Sequence, residues 1–185
     1  MAVILAGCVG RTPESSFYTF APGTNCAGDD GACVTHAVAP MTVDVARVRI
    51  AEYIDRPQMV TQDGVTVHMA QDNRWAEGLG PMVGRRLISE LSTRLPAATV
   101  KDAAFAGGTP DRTVFVEIYQ MDGTLGKTAR LSAVYGIAKD GEPGRPHAVN
   151  YVVPVGNTYA DYATACGQMI DRMAAEIARD VAGTK

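Results

Sequence analysis

The chain has 185 residues, a hydrophobic share of 46% and a formal net charge of -3. That length suits one compact domain plus a tail and can bury a sizeable core. The small charge, with no basic stripe, argues against a nucleic-acid surface, and no apolar run reaches the ~18–20 residues that span a bilayer.

In chain order the first feature is Leu5-Ala6-Gly7-Cys8, which reads as a lipobox. A lipoprotein signal peptidase needs small side chains beside the scissile bond and a thiol that can carry a diacylglyceryl group. On this reading residues 1–7 are the remnant of a lipoprotein signal peptide, and Cys8 becomes the acylated N-terminus. A full signal peptide has a basic n-region and an h-region of about 7–15 apolar residues. Only Ala2, Val3, Ile4 and Leu5 precede the motif as apolar residues, with no Lys or Arg, so the natural start is expected upstream. Membrane association would then come from lipid on Cys8, since two or three acyl chains anchor far more firmly than one.

Residues 8–40 are rich in Gly, Pro, Ser, Thr and Ala and read as the lipidated N-terminus and linker. Within them Ser16-Phe17-Tyr18-Thr19-Phe20 forms a short aromatic patch that could add an edge strand. Cys26 and Cys33 bracket a flexible Ala-Gly-Asp-Asp-Gly-Ala stretch, and in an oxidising periplasm a disulfide between them is expected. Closing so short a loop stabilises by about 2–3 kcal/mol in the chain-entropy picture. The competing metal reading lacks a second Cys or His pair at ligand spacing, and His36 alone does not supply one.

The body, residues 41–185, opens with a β-branched stretch, Thr42 to Ile54, read as a strand. Gln58 to Thr61 and Val65 to Met69 read as a hairpin turned by Asp63-Gly64. Leu79, Met82, Val83, Leu87, Leu91 and Leu95 recur at helical spacing until Pro96 closes the helix, with Pro81 near its first position. Strands follow at Thr113 to Met121, Lys127 to Ala138 and Ala148 to Val155. A long helix from Tyr159 to Val181 carries the stripe Tyr159, Tyr162, Cys166, Met169, Ile170, Met173, Ile177 and Val181. Cys166 on that stripe reads as a buried small hydrophobe. The fold class is α/β, one twisted mixed β-sheet with two main helices packed on it.

Chemistry is sparse. His36 falls in the linker, His68 on the polar face of the hairpin and His147 in a loop, none at a spacing that suggests a triad. A hydrolase reading would need a deep polar cleft holding His68 or His147. Gly78-Leu79-Gly80-Pro81-Met82-Val83-Gly84 lacks the signature of a phosphate loop and reads as a glycine-rich helix entry. Asp29-Asp30, Asp171 and Arg85-Arg86 read as solvated linker or helix surface. No catalytic residue, metal ligand or cofactor is assigned.

Tyr53-Ile54-Asp55-Arg56-Pro57-Gln58-Met59-Val60, followed by Asn73-Arg74-Trp75-Ala76-Glu77, resembles the ABC-type transport auxiliary lipoproteins (the YmbA/PqiC-like group). In that family a strand leads into a Y-x-D-R-P-Q-x-V turn, and a hairpin ends in R-W-A-E before the first helix. Phe17-Tyr18-Thr19-Phe20 resembles the family's aromatic opening, and Ile177-Ala178-Arg179-Asp180-Val181 its closing helix. The resemblance covers nearly the whole chain, with the Cys26–Cys33 insertion as a departure. It implies a non-enzymatic, periplasm-facing lipoprotein subunit working with an MCE-domain protein and an inner-membrane permease and ATPase in lipid transport. It leaves open a ring or other homo-oligomer.

Val9 follows Cys8 where an Asp would signal inner-membrane retention, so the outer membrane is the expected anchor. The residues themselves give Pro57 a strand-ending role and Trp75 a place in the core. Asp55, Arg56, Arg74 and Glu77 are structural or partner-facing. The alternative is an envelope lipoprotein that docks onto and regulates a cell-wall enzyme.

Overall fold

A computed structural model describes residues 14–20, 34–105 and 107–183. The strands are β1 (Ser16–Tyr18), β2 (Met41–Val45), β3 (Arg49–Ile50), β4 (Gln58–Asp63), β5 (Thr66–Trp75), β6 (Ala98–Asp102), β7 (Arg112–Gly123), β8 (Thr128–Lys139) and β9 (His147–Pro154). The helices are α1 (Leu79–Arg94) and α2 (Tyr159–Gly183).

The α/β class with two main helices holds, but the strands divide between two sheets. A six-stranded sheet runs β6-β2-β7-β8-β9, with β3 also paired to β7, and a three-stranded sheet runs β1-β5-β4. The β4–β5 hairpin touches the large sheet at its flank, where the Thr124 hydroxyl donates to the Gln62 carbonyl at 2.6 Å. No ladder joins the two sheets among the described residues.

Alternation of buried and open-face residues runs through β7 up to Ile118 and through most of β8. Val114, Val116 and Ile118 of β7 and Leu131, Ala133, Tyr135 and Ile137 of β8 are buried beneath the helices. Phe115 and Tyr119 of β7 point to the open face, each 51% exposed. Both predicted helical stripes pack on the inner face: Leu79, Met82, Val83, Leu87, Leu91 and Leu95 from α1, and Tyr162, Cys166, Met169, Ile170, Met173, Ile177 and Val181 from α2 are buried. Each such Leu, Ile or Met contributes about 1.5–3 kcal/mol of burial. This core fixes the frame on which the smaller sheet sits.

Four local expectations change. The strand predicted from Thr42 to Ile54 breaks into β2 and β3, because Val48 turns into the core between them and the chain then folds into a turn at Ala51. The hairpin turn is Gly64-Val65, with Gly64 at φ +58° and Asp63 paired to Thr66, as in turns with glycine at the first central position. β5 runs on to Trp75 because β1 pairs beside it in parallel, so the aromatic patch inside the expected linker is part of the fold. Finally, α1 starts at Leu79 and Pro81 is its third residue, still within the first turn whose N–H groups lack intrahelical partners. Gly80 is needed there, since a Cβ would stand 3.2 Å from the Val48 carbonyl oxygen.

α2 begins with a reciprocal cap. The Asp161 amide donates to the Thr158 hydroxyl, and the Thr158 amide donates to the Asp161 carboxylate, both at 3.1 Å.

Candidate functional site

Three stretches far apart in sequence meet at one end of the small sheet. Phe17 of β1 pairs with Arg74 of β5, and Arg74 pairs on its other side with Gln58 of β4. The Trp75 amide donates to the Pro57 carbonyl and the Ala76 amide to the Tyr18 carbonyl, both at 2.7 Å. The segments Phe17-Tyr18, Asp55-Arg56-Pro57 and Arg74-Trp75-Ala76-Glu77 thus form one continuous piece of structure.

Some of these residues hold the fold. Trp75 is 4% exposed; its ring lies 5.6 Å from Phe20, edge to face, and 6.3 Å from Tyr162 of α2. The lone tryptophan therefore fastens the small sheet to the long helix, as its expected core role requires. Tyr53 donates to the buried Asp122 carboxylate at 2.6 Å and ties the turn to β7. Burial, and then that hydrogen bond, hold the Tyr53 phenol well above its ordinary pKa. Glu77 pairs with Arg85 across the start of α1. Pro57 ends the turn and delivers its carbonyl to the ladder.

Others face outward. Asp55 is exposed, and Arg56 lays its guanidinium beside the Met69 thioether at 3.1 Å. Among the described residues neither Arg56 nor Arg74 has a carboxylate partner, and the Nε of each is buried without a hydrogen-bond acceptor.

A second polar cluster lies between the helices and corrects the reading of Arg86 and Asp171 as solvated surface. Arg86 donates to both oxygens of Asp171 at 2.7 Å. Glu90 and Arg94, one and two turns further along α1, are fully or nearly fully buried beside them. The hydrogen bond that Arg86 donates to Asp171 raises the Arg86 pKa, while burial and then Asp171 raise that of Glu90. Repeated charge at i, i+4 and i+8 was the visible signal. It normally marks an exposed face, and Asp171, outside the apolar stripe read for α2, carries no sign of burial.

The histidines stay apart. His147 stacks on Tyr135 with centroids 5.1 Å apart and lies 3.5 Å from Asp180. It lines an open recess with Ile137, Gly144, Arg145, Arg179, Asp180 and Gly183, which supply no Ser, Thr or Cys nucleophile. His68 is exposed on the hairpin. No group of three or more His, Cys, Asp or Glu among the described residues could hold a metal. Cys166 is fully buried, its thiol pushed up to about 12 chiefly by burial, which suits an inert core residue. Cys8, Cys26 and Cys33 lie outside the described residues.

The sequence profile of the ABC-type transport auxiliary lipoprotein component matches residues 29–178. The chain belongs to this family. Its fold is similar to that of an uncharacterised protein of known crystal structure, at 19% identity and TM-score 0.75, covering 91% of this chain and 99% of that one. A Xanthomonas campestris protein shares 14% identity at TM-score 0.69, over 91% and 97% of the two chains. At these identities the likeness establishes the fold. Comparison with curated proteins returns no match. No helix among the described residues is long and apolar enough to cross a membrane.

Proposed function

We propose that this chain is a non-enzymatic, periplasm-facing lipoprotein subunit of an MCE-type lipid transport system. The observation that carries the reading is membership of the auxiliary lipoprotein family across residues 29–178. The lipobox at Cys8 adds to it: residues 8–40 would include the anchor and tether, with an expected Cys26–Cys33 disulfide, and residues 41–185 the working domain. The convergence of Asp55-Arg56-Pro57 with Arg74-Trp75-Ala76-Glu77 supports a contact role, because Trp75 and Tyr53 brace the turn from inside while Asp55 is exposed and the half-buried Arg56 and Arg74 have no carboxylate partner among the described residues. Partners on this reading are an MCE-domain protein and an inner-membrane permease and ATPase. Self-assembly is compatible with it, and Val9 after Cys8 favours the outer membrane.

The test is purification of the native, acylated protein from membranes under mild detergent, with identification of co-purifying chains by mass spectrometry. An MCE-domain protein is the expected partner. Recovery of the acylated protein without one would sink the reading.

A further inference from the structure

We propose that the outer face of the three-stranded sheet is a membrane-contact face, on which Arg56 and Arg74 meet lipid phosphates and Phe17 and Met69 enter the interfacial layer. The inference rests on the reading of Cys8 as the acylated residue.

Three observations point to a lipid surface. The first is exposed apolar area. Phe17 is 65% exposed, Met69 52% and Val67 38%, with Val65 at the hairpin tip 98% exposed. Phe17 stands beside Arg74 by the β1–β5 register, and Gln58 beside Arg74 by the β4–β5 register. The β4–β5 register shifts between Gln58 and Val60, and beyond that shift Met69 reaches the Arg56 guanidinium, its thioether 3.1 Å away. Val67, two residues before Met69, lies on the same side.

The second observation is charge. Arg56 and Arg74 are without carboxylate partners among the described residues, and the Nε of each is buried without an acceptor. A planar guanidinium fork matches a phosphate, and its aliphatic stem packs against apolar neighbours while the head reaches the polar layer. Arg56 already lies against the Met69 thioether. Apolar side chains interleaved with arginine form the pattern of an interfacial binding face, in which buried apolar area and attraction to anionic lipid act together.

The third is the tether. Seven residues, Val9 to Ser15, separate Cys8 from the start of β1 at Ser16. Fully extended they reach at most about 29 Å, so an acyl chain on Cys8 holds β1 and its neighbouring strand close to the bilayer. The open face of the six-stranded sheet, with Phe115, Tyr119 and Val152, has no such tether; of its cations, Arg49 is paired with Glu117 and Arg130 stands beside Val152.

The experiment uses the full chain carrying F17W, isolated from membranes in acylated form and reconstituted into phosphatidylethanolamine–phosphatidylglycerol vesicles with brominated acyl chains. Emission is compared with that of the parent, whose Trp75 is buried. Mass spectrometry of the Cys8 peptide first establishes the acyl group, so failure of the anchor is read separately. Quenching of F17W, lost on adding R56E and R74E with an unchanged circular dichroism spectrum, is the expected result. Absence of quenching in acylated protein overturns the proposal, as does quenching that survives both charge reversals. Unquenched, blue-shifted emission that grows with protein density also overturns it, by assigning the face to a second copy.

A second arm floats unanchored C8S protein with the same lipids. There R56A and R74A each weaken association roughly fivefold, and R56K and R74K retain most of it. No loss in the alanine variants would overturn the role of the arginines.

Discussion

In the six-stranded sheet, charged side chains on neighbouring strands pair with one another. Asp44 lies 3.8 Å from Lys101 on the neighbouring strand, and Arg49 lies 3.5 Å from Glu117. In the helical layer Arg86 is matched with both oxygens of Asp171. In the three-stranded sheet Trp75, Met59 and Val60 are buried, yet the outer side carries Phe17, Met69 and two arginines without carboxylate partners among the described residues. The large sheet and its helices pair some of their charges internally, although Asp44 Oδ1, Glu90 Oε1 and Arg94 Nε are buried without a hydrogen bond. The small one is held rigidly from inside and leaves its outer chemistry unsatisfied, as suits a contact surface. Rigid support beneath an unsatisfied surface limits the ordering cost of binding.

Substitutions should separate the two regions. The largest effect is expected for W75A, which empties the space between Phe20 and Tyr162 and loosens the small sheet from α2. Stability should fall by about 3–5 kcal/mol, read as a shift in the urea midpoint. D171A comes next, at the lower end of about 3–5 kcal/mol, because it takes from the largely buried Arg86 guanidinium its two short carboxylate bonds and leaves Glu90 at 3.9 Å. The double variant R86M/D171L should recover most of that loss in the same measurement, which would mark the pair as replaceable by apolar packing. Y53F removes the hydrogen bond to Asp122, which keeps Gln120 as a donor, and should cost about 1–2 kcal/mol.

A smaller effect concerns pH. Glu90 has its pKa raised by burial and by Asp171, so its protonated form is favoured in the folded chain. A carboxyl raised on folding adds stability below its unfolded value of about 4.3, and that contribution fades as pH rises through the folded value. Thermal melting of E90Q should match the parent at acid pH and exceed it at neutral pH. The reverse order would mean that Arg86 and Arg94 outweigh burial. The least effect on stability is expected for R74E, within about 0.5 kcal/mol of the parent, since no carboxylate partner among the described residues is lost. Its effect should fall on membrane contact instead.

Much of the frame was legible because its signals are local. The leucine stripe of α1, the stripe of α2 and the alternation in β7 and β8 each report burial through spacing alone. β6 escaped because Ala98-Thr99-Val100-Lys101-Asp102 is short and has little apolar alternation; parallel pairing with β2 makes it a strand. The division into two sheets was illegible for the same reason, since β1 joins β5 across more than 50 residues. At the candidate site, the motif residues stood out by family resemblance, but their convergence depends on the Trp75–Pro57 and Ala76–Tyr18 backbone bonds. The pairing of Arg86 with Asp171 had no local signature, because its partners lie 85 residues apart.

The claim that the small sheet is the contact region and the large sheet a self-contained frame is tested most directly by hydroxyl-radical footprinting of the acylated protein, on vesicles and in detergent, resolved by residue. Phe17 and Met69 report on one face, Phe115 and Tyr119 on the other, and all four are at least half exposed in the free chain. The account expects Phe17 and Met69 to lose reactivity on vesicles while Phe115 and Tyr119 keep theirs. Protection of Phe115 and Tyr119 instead, or no change at any of the four, would contradict it.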